Sequence, residues 1–184
     1  LCGGVIGYRA YRMSGVKKGD TLGIFGFGSS AHLVAQMANI EGVEIFVFTR
    51  SLEHQSLARD LGASFVGKVE DHPPHPLTSA IIFAPSGNLV KNALLYLERG
   101  GAIIMAGIYS TPLPEIPYSL IYWERSIKSV ANSTRQDVRE LLDFAQKYHL
   151  EVKTEVFPLT EANHVLQLLK ESKIKASAVL KIES

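Results

Sequence analysis

The clearest structural pattern in the sequence is LGIFGFGSSAHLVAQMA, residues 22–38. A short apolar run is followed by glycines and then by apolar residues at helical spacing, which predicts a strand, a tight turn and a helix. The β-branched and aromatic residues at 43–48 predict a second strand directly after this helix. Because parallel strands need a long crossover between them, this unit predicts the beginning of a parallel sheet.

The same alternation of apolar strands and amphipathic helices continues along the chain. Strands are expected at Leu22–Phe25, Val43–Phe48, Ser64–Val66, Ala80–Phe83, Ala102–Met105 and Ile127–Val130. Helices are expected around 33–38, 52–61, 89–97 and 136–148, with glycine stops at Gly62 and at Gly100-Gly101. The proline-containing stretches 72–76 and 111–117 are expected to be surface loops. The predicted fold is a Rossmann-type, doubly wound α/β sheet of six parallel strands in the order 3-2-1-4-5-6.

The composition of the chain indicates which classes of protein it can belong to. The 184 residues are 46% hydrophobic and 20% charged, with a formal net charge of +1, which is typical of a globular chain. This balance gives no reason to expect a nucleic-acid or membrane partner, and no apolar run reaches the roughly 18 residues of a membrane span. The single cysteine excludes an internal disulfide, and a cytoplasmic location is expected. Since the chain begins at Leu1 rather than methionine, it is expected to be a piece of a longer protein.

The turn after the first strand has the pattern G-x-G-x-x-A. It reads Gly26-Phe27-Gly28-Ser29-Ser30-Ala31. Gly26 permits a tight turn, Gly28 lets a pyrophosphate approach the backbone, and Ala31 is small enough for close helix–strand packing. Glycines can also simply end a strand, so the position between a first strand and a first helix is what favours a dinucleotide site. His32, in the first helical turn, is expected to cap, to pack or to face the cofactor rather than to catalyse.

The end of the second strand favours NADP(H) over NAD(H). An NAD site normally has a carboxylate about 20 residues after the glycines, which binds the ribose hydroxyls. Here the sequence reads Thr49-Arg50-Ser51, in which the hydroxyls can donate to a 2′-phosphate and the guanidinium can pair with it. The alternative is that Arg50 is a solvated loop residue and that Glu53 binds the ribose. Residues 1–151 are therefore expected to form a dinucleotide-binding domain.

Residues 152–184 are expected to form a C-terminal extension. They read as a strand, a helix over Glu161–Lys170 and a strand over Ala176–Ile182, which a six-stranded sheet does not need. Separated from a partner domain, the extension is expected to expose apolar surface.

Several spaced motifs resemble the zinc-dependent medium-chain alcohol dehydrogenase family over the whole chain. They are Cys2–Ala10, Gly15–Asp20, Gly26–His32, Ala58–Ala63, Gly100–Gly107, Ser133–Asp137, Phe157–Asn163 and Ala178–Ile182. The resemblance implies the cofactor-binding half of an enzyme that interconverts alcohols and aldehydes or ketones with NADP(H). It also implies small-molecule substrates, an absent N-terminal catalytic domain to which the extension returns, and a homo-oligomer.

The resemblance also assigns roles to individual residues. Cys2 falls where the family places a ligand of the catalytic zinc, although a lone cysteine is more often a small buried thiol. Arg135, beside the polar Asn132, falls where the family places an arginine near the phosphates. The nicotinamide ribose and carboxamide are expected near the ends of strands four and five, at Ala84, Pro85, Ala106, Gly107 and Ile108. The alternative is that these residues are ordinary strand exits.

Two alternatives to a zinc enzyme stay open. Zinc-free quinone and enoyl reductases share the cofactor-binding half, and Cys2 would then be incidental. A non-catalytic nucleotide-sensing module would bind the cofactor without activity. The pair His72 and His75 also suggests a metal, but its proline-rich setting favours a solvent loop.

Overall fold

A computed structural model describes residues 1–171 and 173–182. Its main feature is a sheet in which all neighbouring strands are parallel. The strands are β1 (Thr21–Phe25), β2 (Glu44–Phe48), β3 (Phe65–Gly67), β4 (Leu77–Ile82), β5 (Leu97–Met105) and β6 (Ser126–Ser129). Their order is β3-β2-β1-β4-β5-β6, which confirms the predicted arrangement. The strand order reverses between β1 and β4, so the crevice typical of this fold lies at their carboxyl ends.

Helices cover both faces of the sheet. They are α1 (Cys2–Ser14), α2 (Ser29–Ile40), α3 (Leu52–Asp60), α4 (Asn88–Tyr96) and α5 (Arg135–Tyr148). Consecutive residues of β1 enter different hydrophobic clusters, Ile24 with residues of α1 and α2, and Phe25 with residues of α4. Both side chains are fully buried. Burial on two faces explains why the central strands read as continuous apolar runs rather than as an alternating pattern.

The C-terminal extension forms a sheet of its own. Strand β7 (Thr154–Pro158) pairs in parallel with β8 (Ser177–Lys181), and α6 (Ala162–Lys170) lies between them in sequence. Residues 172, 183 and 184 of the predicted extension lie outside the described residues. As expected, the extension exposes large apolar side chains: Val152, Val156, Leu159, Leu166, Leu169, Val179 and Ile182. That the extension returns to an absent N-terminal catalytic domain stays a prediction.

The predicted stop at Gly100-Gly101 is wrong, because β5 begins at Leu97 and contains both glycines. Leu77 of β4 pairs with Leu97, but Ser79, two residues later, pairs with Ala102. Residues 98–101 therefore bulge out of the register, and Gly100 has φ +76° within the bulge. Glycines permit such a bulge as readily as they end an element, and sequence alone does not separate these cases.

Strand β4 begins at Leu77, three residues before the predicted start. The sequence pattern was misleading because Thr78 and Ser79 are polar. Thr78 Oγ1 accepts a hydrogen bond from Thr21 N over 3.2 Å, and Ser79 Oγ donates to the Ala102 carbonyl over 2.8 Å. These partners allow both hydroxyls to lie in the sheet without an unsatisfied polar group.

The two proline-containing stretches, 72–76 and 111–117, contain no helix or strand, as predicted. In the part of the chain that the structure describes, no helix has the length and the apolar character needed to cross a membrane.

Candidate functional site

The turn after β1 passes close to the exit of β4. Gly26 has φ +87°, the left-handed conformation that favours glycine. A Cβ added to Gly26 would lie 2.9 Å from both the Cβ and the backbone nitrogen of Ala84. The amide of Gly26 donates to the Phe48 carbonyl over 2.9 Å, and the Phe27 side chain is buried. Position 26 therefore requires glycine both for its conformation and for the space it leaves.

Gly28 faces open space at the start of α2. It precedes the helix with φ −120°, and no side chain of the described residues caps this end. A Cβ added to Gly28 would meet no heavy atom within 4 Å. Ser29 and Ser30 follow in a first turn without acidic residues, and Ala31 is fully buried. Because the first N–H groups of a helix have no partner within it, this end offers donors and partial positive charge to an anion.

The end of β2 presents one exposed cation. Thr49 is only 9% exposed, and its amide donates to the Gly67 carbonyl over 2.9 Å. Arg50 is exposed, and within residues 1–171 and 173–182 its guanidinium has no ion pair or hydrogen bond. Ser51 caps α3, its hydroxyl accepting from the His54 amide over 3.4 Å. The guanidinium is therefore available to an anion beside a helix N-terminus.

The exits of β4 and β5 lie at the same edge of the sheet as the turn. The amide of Ala84 donates to the Phe25 carbonyl over 3.2 Å, and that of Ala106 to the Ile82 carbonyl over 2.9 Å. Pro85, Gly107 and Ile108 follow these anchored residues, and Ile108 is fully exposed. The backbone here can meet a ligand that extends across the crevice.

The start of α5 is firmly capped. Thr134 and Asp137 form a capping box, in which the Thr134 hydroxyl accepts from the Asp137 amide and the Asp137 carboxylate accepts from the Thr134 amide. Arg135 follows the cap and is exposed, while Asn132 has φ +61° and accepts from the Ser133 amide. Strand β6, which precedes this helix, lies three positions from β1 in the sheet, at the same carboxyl edge as the turn.

Cys2 begins α1, and its thiol is exposed and unpaired among the described residues. The next residue contacts the turn, since a Cβ added to Gly3 would lie 3.0 Å from Ser29 Oγ. The first turn of α1, which carries Cys2, therefore lies close in space to the start of α2. Among the described residues, no three His, Cys, Asp or Glu side chains cluster as a metal site.

One contact at the turn was missed by the sequence patterns. The hydroxyls of Ser29 and Ser177 lie 2.6 Å apart, so β8 of the extension touches the first turn of α2. The two serines are 148 residues apart in sequence, and neither has a distinctive motif to indicate the pairing.

Comparison with known proteins agrees with this geometry. A family model described as zinc-binding dehydrogenase matches residues 31–147. Over 183 residues the chain is 44% identical to a probable alcohol dehydrogenase, AdhA, of Mycobacterium tuberculosis, covering 99% of this chain and 53% of that protein. The chain thus spans about half the length of the curated relatives it matches.

Two solved structures show the same fold at lower identity. The acetophenone reductase of Geotrichum candidum, in complex with NAD, has a TM-score of 0.87 and 20% identity, covering 97% of this chain and 53% of that one. The CAD of Helicobacter pylori, complexed with NADP(H), has a TM-score of 0.83 and 20% identity, covering 99% and 53%.

Proposed function

Because the chain belongs to the zinc-binding dehydrogenase family, we propose that it is the NADP(H)-binding part of an oxidoreductase. The reaction would interconvert alcohols and aldehydes or ketones, and the bound nicotinamide would supply or accept the hydride. The predicted site residues support this function by their common position at the carboxyl edge of the sheet.

The observation that carries the choice of cofactor is the exposed guanidinium of Arg50 at the end of β2, which has no ion pair or hydrogen bond with the described residues. Solved relatives of this fold are described with NAD in one case and with NADP(H) in another, so the fold itself does not select the nucleotide. No carboxylate stands among Thr49, Arg50 and Ser51 to bind the ribose hydroxyls and repel a 2′-phosphate. An exposed guanidinium at this position favours the phosphorylated nucleotide because a charge-assisted contact is stronger than a neutral one.

The remaining predicted residues would bind different parts of the nucleotide. The open backbone at Gly28 and the first turn of α2 would hold the pyrophosphate, with Arg135 and Asn132 adding polar contacts at the start of α5. The backbone after β4 and β5 would orient the nicotinamide end. The position and the exposure of these residues in the fold support the proposed roles.

Zinc is the second group that the family implies. The exposed Cys2 thiol, next to a residue that touches the turn, is chemically suited to be one ligand. Further ligands would come from outside the described residues, which contain no three-residue cluster. When bound, zinc would polarise the substrate oxygen and lower the pKa of an alcohol.

Calorimetric titration of the chain with NADPH and with NADH tests the cofactor proposal. NADPH should bind more tightly, and Arg50→Ala should weaken NADPH by roughly ten- to a hundredfold while leaving NADH nearly unchanged. Arg59→Ala is the matched control, since it removes an exposed arginine from the last turn of α3. Equal affinities of the wild type for both nucleotides, or equal losses in Arg50→Ala, would contradict the proposal.

A further inference from the structure

We propose that His32 is a positioning residue that links the phosphate-binding turn to the C-terminal extension, and that it does so as a neutral imidazole protonated on Nδ1. The link itself is a feature of the fold. Its effect on cofactor binding rests on the proposed function. His32, Gln36 and residues 151–153 are not among the residues assigned to the nucleotide, whereas Gly28 and Ser29, through which the link reaches the turn, are.

His32 is held at both ring nitrogens. It lies on α2 and is fully buried. Its Nδ1 is 3.4 Å from the Gly28 carbonyl oxygen, and its Nε2 is 3.3 Å from the Lys153 backbone nitrogen. A carbonyl can only accept and an amide N–H can only donate, so Nδ1 carries the proton and Nε2 is the acceptor. The environment therefore specifies one tautomer of the neutral ring.

Gln36 completes the link one turn later on the same face of α2. Its Nε2 donates to the Glu151 carbonyl over 2.9 Å and to the His32 carbonyl over 3.1 Å. Its Oε1 accepts from the Glu151 amide over 2.8 Å. His32 and Gln36 thus bind the backbone of residues 151–153, which we call the junction because it connects α5 to β7.

The position of the junction connects it to the site. Gly28 precedes α2 and faces open space, so the His32 contact joins the residue beside the expected pyrophosphate to the start of the extension. The hydroxyls of Ser29 and Ser177 provide a second connection between the same two parts. A change in the position of the extension would therefore shift the residues of the turn.

Protonation of His32 is incompatible with this arrangement. A proton on Nε2 would face the Lys153 amide proton, placing two donors against each other. Helix α2 has no other charged side chain, and the charged groups acting on His32 are Glu151 and Lys153 of the junction. Burial, which outweighs the hydrogen bond to Gly28 and the Glu151 charge, lowers the pKa of His32 below its usual range. The link is therefore intact at neutral pH and is lost in acid.

The tautomer of His32 gives a direct test on the wild-type chain. Long-range nitrogen–proton NMR correlations at pH 7 should show a neutral His32 with its proton on Nδ1. A charged ring, or a neutral ring protonated on Nε2, would overturn the proposal. This measurement needs neither a nucleotide nor a variant.

Trypsin cleavage after Lys153, at pH 7.5, tests the mechanical link. His32→Leu and Gln36→Leu should each be cleaved there at least tenfold faster than the wild type, because the junction backbone loses its partners. His164→Leu, which removes an exposed histidine from α6, should be cleaved at the wild-type rate. Wild-type cleavage rates in both α2 variants, with their circular dichroism unchanged, would refute the link.

Binding of ADP-ribose between pH 8 and pH 5 tests the positioning role, because this nucleotide lacks a 2′-phosphate that titrates in the range. Wild-type affinity should fall by about three- to tenfold on acidification. His32→Leu should start at the weaker affinity and change little with pH. If the wild type binds no nucleotide at all, the proposed function fails, while the NMR and cleavage results still decide the link. If it binds with no difference between wild type and His32→Leu, only the positioning role fails.

Discussion

A guanidinium nitrogen of Arg9 lies 2.7 Å from the carboxylate of Asp137, joining α1 to the first turn of α5. The same carboxylate oxygen accepts from the amide and the hydroxyl of Thr134 in the capping box. Arg9 Nε is buried and has no hydrogen-bond partner among the described residues. The ion pair therefore offsets part of the desolvation of Arg9 while it stabilises the start of the helix that carries Arg135.

Replacing Asp137 should destabilise the chain substantially. Asp137→Ala removes a partly buried ion pair and a helix cap together, so we expect the free energy of unfolding to fall by about 2–4 kcal/mol. Arg12→Met should cost less than about 0.5 kcal/mol, because Arg12 is exposed and 3.9 Å from Glu140. Urea unfolding, monitored by circular dichroism, measures the free energy of unfolding of both variants. Equal effects of the two substitutions would show that the Asp137 contact contributes little.

The stability from Asp137 should depend on pH. Burial raises the pKa of this carboxyl, but the hydrogen bonds from Thr134 and the Arg9 charge outweigh it and hold the pKa below the usual value of 3.8. A lowered folded-state pKa means that the contribution is present above the unfolded-state pKa and is lost as pH falls through the folded-state pKa. The difference in stability between wild type and Asp137→Ala should therefore shrink below about pH 4. A difference that is unchanged at pH 3 would contradict this assignment.

The two glycines of the turn should respond differently to alanine. Gly26→Ala places a Cβ 2.9 Å from Ala84 at φ +87°, so it should lower stability by about 2 kcal/mol or more. Gly28→Ala meets open space at φ −120°, so stability should change by less than about 1 kcal/mol while nucleotide affinity falls. Thermal unfolding and calorimetric titration separate the effects. A loss of stability without a loss of affinity in Gly28→Ala would remove position 28 from the binding site.

Ser51→Asp should invert the cofactor preference towards NADH. Aspartate caps a helix as well as serine does, so α3 should keep its start, while the new carboxylate can bind ribose hydroxyls and repel a 2′-phosphate. Ser51 suits this change better than the buried Thr49, where a carboxylate would be desolvated. Ser51→Asn is the control, because it keeps the cap without the charge. The same shift in both variants would mean that charge does not govern the choice.

Removing metal should leave the fold intact. The described residues contain no cluster of three potential ligands, and the core is formed by the sheet and its helices. The melting temperature of the chain should therefore be unchanged by EDTA, and purified chain should hold little zinc. A fall of several degrees with EDTA would show that metal stabilises the fold.

In an enzyme that joins this chain to a catalytic domain, Cys2→Ala should abolish both zinc binding and activity. Activity that survives the substitution would place the protein with zinc-free reductases. Nucleotide binding without activity in the unaltered protein would favour a sensing module.

Local features of the fold were readable from the sequence because they depend on neighbouring residues. The strand–turn–helix pattern around Gly26 and Gly28 predicted β1 and α2, and the strand order follows from the alternation of strands and helices. The start of β4 was missed because the hydroxyl of Ser79 is paired within the sheet. The start of β5 was missed because its glycines form a bulge instead of ending the strand. These outcomes depend on a neighbouring strand, which local patterns do not describe.

The sequence by itself thus determined the fold class, the glycine turn between β1 and α2 and the position of an arginine at the end of β2, since apolar periodicity and glycine conformation act over a few residues. Only the tertiary structure decided which distant groups meet. Arg9 and Asp137 are 128 residues apart, and His32 and Lys153 are 121 apart. Such pairs form because packing of the sheet brings α1, α2, α5 and the extension together, and a buried polar group must then find its partner among whatever that packing places beside it.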